Sequence, residues 1–531
     1  MFKRNNYKRY KILFVVLCVL FLCSILKIFY IQHMYAGNKF TNVYKGGTQT
    51  EKISELNYNI CDCLGKNLVD TNRKYVLVID CRVFKMNNIY EQADKMLAFT
   101  YIMRSANDKF SLDEINLSSG KKYYEVSEDY YNKLSLICKY IKGIFLYKFD
   151  AVNHTSAWGI ENIISNLQCK DKNSLDGYIY ENIKDNKSNV LKASVNNEGA
   201  YSELTYSIPS DNKNVQLTID KNWQDSVREV LCSSDYSKLN NIGVAVMDST
   251  SGEIKVLAQK NEKYPNVLLG AEGLGYPPGS IFKVLVEMAA LNDDKLNFSE
   301  KFTCTGRYCK RDGKSNSHGT LSLYEALKVS CNECFMKLGN KIGYDSILDM
   351  CNKLGLGKKV LNLSAESKGS LPELKNGLNN ISIGQTFNVT PLQMLGVYNT
   401  IVNKGIYIKP YILKDFYTNN DIVSAVAKTE QKKILSEQNA NIIRNQLIDV
   451  VNSGSGAKAK VNGVTIGGKT GTAENGKNND IWFSGFFKKN DKYYSMIIVV
   501  PNLPLENKEG ELYGGGSTAG PIFHDVVNKL K

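Results

Sequence analysis

The stretch Tyr276-Pro-Pro-Gly-Ser-Ile-Phe-Lys-Val-Leu-Val-Glu-Met-Ala-Ala-Leu291 decides how the rest of the chain is read. Two prolines and a glycine cannot lie inside a helix, and the apolar run after them reads as a buried one. Ser280 is therefore expected at or beside a helix N-terminus, with Lys283 one turn later on the same face. A helix N-terminus stabilises developing negative charge. A lysine held close and partly desolvated can lose its proton and act as a base toward the serine hydroxyl. The spacing alone carries little, because Ser24–Lys27, Ser118–Lys121, Ser119–Lys122, Ser210–Lys213 and Ser455–Lys458 match it too. The first of these lies in an apolar N-terminal run, and the others lie in polar stretches with no buried helix following.

Two further motifs follow in order. Ser330-Cys-Asn332 sits on a connection between amphipathic helices expected at 321–329 and 333–342. A hydroxyl there can relay a proton between Lys283 and a leaving group, and an amide can orient a substrate amide. Ser-x-Asn by itself also occurs at Ser105–Asn107 and Ser210–Asn212. Gly467-Gly-Lys-Thr-Gly-Thr-Ala-Glu474 reads as strand, with glycines where a substrate backbone can lie alongside. Lys469, Thr470 and Thr472 would present a cation and hydroxyls to a carboxylate, and the backbone N–H groups of Ser280 and Thr472 would form an oxyanion hole. Gly463–Thr470 also fits the phosphate-loop pattern Gly-x-x-x-x-Gly-Lys-Thr. That pattern needs a strand before it and a helix after it. Here Val464–Ile466 itself reads as strand and another strand follows, so the phosphate reading is set aside.

Taken together, the three motifs resemble the active-site set of the penicillin-binding proteins and serine β-lactamases. The resemblance extends to Gly243–Asp248 with Gly252-Glu-Ile254, to His318–Leu327, to Ser382-Ile-Gly-Gln385 and Thr390-Pro-Leu-Gln393, and to Gly514-Gly-Gly516 with Ala519–Phe523. It is closest to the monofunctional, class B members and covers about 215–531. It implies an α+β fold: a membrane-anchored mixed α/β pedestal, then a transpeptidase-like domain with an antiparallel sheet flanked by helices. It also implies a D,D-transpeptidase. Ser280 would attack the D-Ala–D-Ala carbonyl, Lys283 would take its proton, and Ser330 would relay a proton to the departing D-Ala. Asn332 would hold the peptide amide, and Lys469, Thr470, Gly471 and Thr472 would bind the terminal carboxylate. β-Lactams would acylate Ser280, and no cofactor is required for the chemistry. Rival readings within this fold are a D,D-carboxypeptidase, a β-lactamase and a β-lactam sensor. The Glu-x-x-Leu-Asn loop of a class A β-lactamase has only Glu437–Asn441 as a counterpart, with Ala440 in place of leucine at the start of a helix. Asn59-Ile-Cys-Asp-Cys-Leu-Gly65 looks like an eroded form of the pedestal's arginine-rich entrance. No glycosyltransferase domain is expected ahead of it.

The 531 residues suffice for two or three domains. Net charge is +14 with the lysines scattered. This suits an anionic lipid or wall polymer, or simply a solvated surface, and not nucleic acid. Lys3, Arg4, Lys8, Arg9 and Lys11 precede the almost wholly apolar run Ile12–Ile31, which is just long enough to span a bilayer. The expected layout is a cytoplasmic tail at 1–11, an uncleaved transmembrane helix at 12–31, a pedestal at 40–215 and the transpeptidase domain at 216–531. The basic end stays inside, which puts the catalytic domain outside the cell on a single-pass anchor. Partner glycosyltransferases and division, elongation or sporulation proteins follow from the resemblance. Gly37–Ser54 reads as a tether, Tyr90–Arg104, Tyr130–Ile141 and Trp158–Leu167 as helices, and about 320–451 as largely helical.

Cys304, Cys309, His318, Cys331 and Cys334 bracket the Ser-x-Asn motif, with Asp312 as a spare oxygen ligand. The spacings suit a structural zinc. They equally suit a Cys304–Cys309 disulfide with Cys331 and Cys334 merely buried. Class B relatives often carry this Cys…Cys…His-Gly pattern.

Overall fold

A computed structural model describes residues 3–36, 47–87, 93–154, 159–167, 171–196, 201–270, 273, 275–293, 300–311, 314–419, 422–425, 429–506 and 510–531. Its first helix, Lys3–Ala36, contains the run Lys11–Tyr30, whose mean hydropathy is 3.0. By length and composition this run is compatible with a single-pass membrane anchor.

The described chain divides into two compact units, and neither is continuous in sequence. The first takes residues 1–57, 71–152 and 187–210. Its main sheet is antiparallel, with Thr71–Asp80 between Lys121–Val126 and Ile144–Val152. Strand alternation sends Leu77 and Ile79 to one face, where the helices Ala93–Ala106, Leu112–Leu117 and Glu128–Cys138 cover them through Phe99, Met103, Ile115 and Leu134. Val78, Phe145 and Tyr147 pack on the other face with Ile53 and Leu191.

Two expectations change here. Gly47–Lys52, read as tether, is a strand paired with Val190–Val195. Its side chains are polar and lack alternation, so its partner and not its own pattern determines it. Residues 37–46 of the expected tether lie outside the described residues, as do Tyr90–Gln92 and Trp158 of two expected helices. The region read as largely helical also holds the strands Ile406–Ile408, Leu413–Tyr417, Ile422–Ala425 and Gln431–Lys433.

The second unit takes residues 58–70, 153–186 and 211–531. The stretches 58–70 and 153–186, read as pedestal, therefore pack with the C-terminal part. Ile60–Cys61 pairs with Asn214–Leu217, and Asp176 accepts from Ser364 N at 3.0 Å.

The sheet that positions the site is built from β1 (Gly243–Asp248), β2 (Ile254–Gln259), β3 (Ile466–Asn475), β4 (Asn478–Lys489) and β5 (Lys492–Pro504). The order is β2-β1-β5-β4-β3, antiparallel throughout. Lys221–Leu231 and the terminal helix Gly520–Leu530 bury Val227, Leu231, Phe523 and Val526 against Val244, Val246, Phe483 and Ile498 on one face. Further helices are α1 (Lys283–Asn292), α2 (Asn332–Ile342), α3 (Pro391–Val402) and α4 (Glu437–Ser453). The first hairpin and the last three strands thus share one sheet, as expected.

β3 and β4 meet across Gly468 and Gly485. A Cβ on Gly485 would lie 2.3 Å from Gly467 O and 2.8 Å from Gly468 Cα, both backbone atoms that cannot swing away. Gly485→Ala is therefore expected to destabilise the protein by roughly 1–3 kcal/mol through overpacking. Thermal unfolding measures this, and an unchanged midpoint would contradict the close approach.

Candidate active site

Ser280 lies in the single 3₁₀ turn Gly279–Phe282, which runs directly into α1. The turn is fixed from several sides. Gly279 N donates to Gly384 O at 2.8 Å, Trp482 Nε1 to Pro277 O at 3.0 Å, and the Tyr398 hydroxyl to Ile281 O at 3.0 Å. Gly279 has φ +54°, and a Cβ there would lie 2.9 Å from Thr472 O, so only glycine lets the turn lie against β3. This places Ser280 beside Thr472, the pair expected to form the oxyanion hole.

Lys283, one turn on, is fully buried. Its Nζ is 3.1 Å from Ser280 Oγ, 2.8 Å from Ser330 O and 2.6 Å from Asn332 Oδ1. A neutral amine has two hydrogens and one lone pair. The two carbonyl oxygens take the hydrogens, which leaves the lone pair for the Ser280 O–H. Burial pushes the Lys283 pKa down to about 8.

Lys469, on β3, is also fully buried, and its Nζ donates to Ser330 Oγ at 2.8 Å and to Thr470 O at 3.1 Å. Burial first, and then the Lys283 charge, hold it well below an ordinary lysine. The two amines converge on Ser330 Oγ, which is 3.3 Å from Lys283 Nζ. At that spacing they resist holding two protons at once. An incoming carboxylate would favour a proton on Lys469 and leave Lys283 as the base.

Ser330 holds this position with φ +58°, a left-handed conformation uncommon for serine. Asn332 opens α2, and its Nδ2 donates to Tyr308 O at 3.1 Å. Thr470 Oγ1 donates to Ser455 Oγ at 3.1 Å, and Thr472 Oγ1 accepts from Gly515 N at 3.1 Å, leaving its own hydrogen for a ligand. At Gly471 a Cβ would press on Ile281 and Trp482, each at 3.0 Å.

The structure thus gathers Ser280, Lys283, Ser330, Asn332, Lys469 and Thr470 into one cluster, with Gly471 and Thr472 adjoining it. Sequence reading does not single out Ser455, the Tyr308 carbonyl or Trp482. Only the run Ser453-Gly-Ser-Gly456 after a helix hints at Ser455.

Of the candidate metal ligands, Cys304, Cys309, His318 and Cys331 bring their ligand atoms within 4.8 Å of one another. Cys309 Sγ is 3.7 Å from Cys304 Sγ and from Cys331 Sγ, and Cys304 Sγ is 3.4 Å from His318 Nδ1. Cys334 falls outside the group: it lies on the buried face of α2, its thiol directed at Phe302 O at 3.7 Å. Asp312 lies outside the described residues.

Geometry of this kind suits serine acyl transfer, with a buried lysine amine beside the nucleophile. The family model "Penicillin binding protein transpeptidase domain" matches residues 242–528, and the chain belongs to that family. It is 28% identical over 354 residues to Stage V sporulation protein D of Bacillus subtilis, across 61% of this chain and 54% of that one. Over 498 residues it is 23% identical to the peptidoglycan D,D-transpeptidase FtsI of Buchnera aphidicola, across 87% and 80%. The chain spans about half the length of the first of these relatives. Penicillin-binding protein 3 of Mycobacterium tuberculosis, solved with aztreonam, shares the fold with a TM-score of 0.58 at 18% identity, across 91% of this chain and 96% of that one.

Because the Lys283 pKa is lowered, its neutral form predominates above about pH 8, and the neutral fraction falls about tenfold per unit below that. The rate constant for acylation of Ser280 by a penicillin is expected to fall in step below pH 8 and to level off above it. A rate constant independent of pH from 6 to 9 would exclude Lys283 as the titrating base.

Proposed function

We propose that this chain is a serine D,D-transpeptidase that cross-links peptidoglycan stem peptides on the outer face of the cell membrane. The observation that carries this reading is Ser280 Oγ, at a helix start, 3.1 Å from a fully buried lysine amine. Ser280 Oγ attacks the D-Ala–D-Ala carbonyl as its proton passes to Lys283 Nζ. The backbone N–H groups of Ser280 and Thr472 stabilise the oxyanion. The proton then passes through Ser330 Oγ to the nitrogen of the departing D-alanine. Asn332 holds the peptide amide, while Lys469, Thr470 and Thr472 hold the terminal carboxylate. An amine from a neighbouring strand resolves the acyl-enzyme. A β-lactam acylates Ser280 by the same route and stays attached, because its leaving nitrogen remains tethered.

The basic residues Lys3 to Lys11 before the apolar helix favour a cytoplasmic N-terminus and an external catalytic unit. One relative is named for sporulation, and partners in wall synthesis, a glycosyltransferase and a division, elongation or sporulation assembly, belong to the same proposal. Intact-mass spectrometry of the detergent-solubilised chain after benzylpenicillin treatment tests the chemistry. A lasting adduct on the wild type and none on Ser280→Ala is expected. Rapid penicillin hydrolysis without an adduct would make the chain a β-lactamase, and neither adduct nor hydrolysis would leave a scaffold.

Cys304, Cys309, His318 and Cys331 are proposed to hold a structural zinc. Tetrahedral zinc with Zn–S bonds of about 2.3 Å sets sulfur–sulfur edges of about 3.8 Å, whereas a disulfide needs about 2.05 Å. Both sulfur–sulfur distances here are 3.7 Å, which favours the zinc. Such a zinc takes no part in the reaction; it braces the loop. Cys331 lies between Ser330 and Asn332, and Cys309 follows Tyr308, whose carbonyl engages Asn332. The purified chain is expected to carry about one zinc by elemental analysis, and Cys309→Ser to lose it with a lower unfolding temperature. A metal-free wild type with the same unfolding temperature as the variant would reject the zinc.

A further inference from the structure

The turn Thr305–Cys309 is held more firmly than a surface turn needs to be. Thr305 N donates to Glu333 Oε2 at 2.8 Å, and its hydroxyl donates to Glu333 Oε1 at 3.2 Å. Tyr308 O accepts from Asn332 Nδ2 at 3.1 Å. Gly306 has φ +87°, and a Cβ there would lie 2.4 Å from Ser315 Oγ and 2.9 Å from Ser317 N. On this braced turn Arg307 and Tyr308 face solvent. The guanidinium carbon lies 5.4 Å from the centroid of the Tyr308 ring, which is itself 41% exposed. No ion pair engages Arg307 among the described residues. A guanidinium set over an aromatic ring keeps N–H donors free for a planar, two-oxygen acceptor.

Asn332 links this turn to the reaction. Its Oδ1 accepts from Lys283 Nζ, one Nδ2 hydrogen goes to Tyr308 O, and the second remains for a substrate amide. A substrate chain held by that hydrogen passes beside Tyr308. The side chain of the residue just before the D-Ala–D-Ala end then comes within reach of Arg307.

We propose that Arg307, set over the Tyr308 ring, is a specificity-determining residue that selects acyl donors whose residue before D-Ala–D-Ala ends its side chain in a free carboxylate. This rests on the transpeptidase reading. A carboxylate offers two oxygens to the guanidinium fork. A carboxamide offers one oxygen and sets its own N–H donors against those of the arginine. The contact is exposed, so salt weakens it, whereas a preference based on shape alone would ignore salt.

The test uses two penicillins identical except at the tip of the acylamino side chain, which mimics that residue and ends in a carboxylate in one and a carboxamide in the other. At low salt the carboxylate form is expected to acylate the wild type about tenfold faster, with the ratio narrowing as salt rises. Arg307→Gln, which keeps a polar stem of similar length, should bring the ratio to about one. Arg307→Lys, a point charge without the fork, should fall between. Unfolding temperatures check that each variant is folded, and the wild-type ratio and its salt dependence need no variant. A wild-type ratio near one, a ratio indifferent to salt, or a ratio that survives in Arg307→Gln overturns the proposal and leaves the transpeptidase reading standing, because both compounds still acylate. No adduct from either compound on the wild type overturns both.

Discussion

An ammonium group taken out of water costs several kcal/mol unless it is paired. Lys283 is taken fully out of water; among the described residues its Nζ hydrogen-bonds to hydroxyl and carbonyl oxygens, with the Phe335 ring centroid 5.7 Å away. Everything around it answers to that constraint. Burial weakens the hold of the amine on its third proton, and once that proton is gone both hydrogens and the lone pair are occupied. Its partners come from separate parts of the chain: Ser280 from the turn before α1, Ser330 and Asn332 from the start of α2. Lys469 reaches the same serine from β3, so the sheet must hold its outer strand in register for the cluster to close. Among the described residues β3 ends the sheet with no strand partner on its outer side, and the Lys-Thr-Gly run lies along that edge.

The connection at 330–332 pays locally for its position. A left-handed serine is strained by order 1 kcal/mol or more and persists only where neighbours over-determine it. Here they do. Cys331 is fully buried beside the Cys309 thiol, Asn332 begins a helix, the Ser330 hydroxyl accepts from Lys469 and the Ser330 carbonyl accepts from Lys283. Ser330 is thus held by its neighbours and not by its own preference.

How far the primary structure reveals this depends on the range of each interaction. Tyr276–Leu291 is legible because prolines, glycine and an apolar run act within a few residues of Ser280. The roles of Ser330, Asn332 and Lys469 become legible through their order relative to one another. The cysteine and histidine cluster is only half legible. Spacing offers Cys331 and Cys334 alike, and the choice turns on where α2 begins: Cys331 caps it, while Cys334 falls on its buried face. Ser455 and Tyr308 are hidden because their roles are single hydrogen bonds to distant residues, Thr470 and Asn332. The assignment of 58–70 and 153–186 to the second unit is hidden for the same reason, resting on pairings as short as Ile60–Cys61 with Val215–Gln216.

The strand order carries a consequence for the chain as it is made. β1 sits between β2, which follows it at once, and β5, which is synthesised almost last. α1 therefore emerges long before β3 and β5 exist to cover it. In that interval Lys283 is wet, protonated and useless as a base. Nucleophilicity is acquired by completion: a half-made chain carries the serine and the lysine but no reactive alcohol.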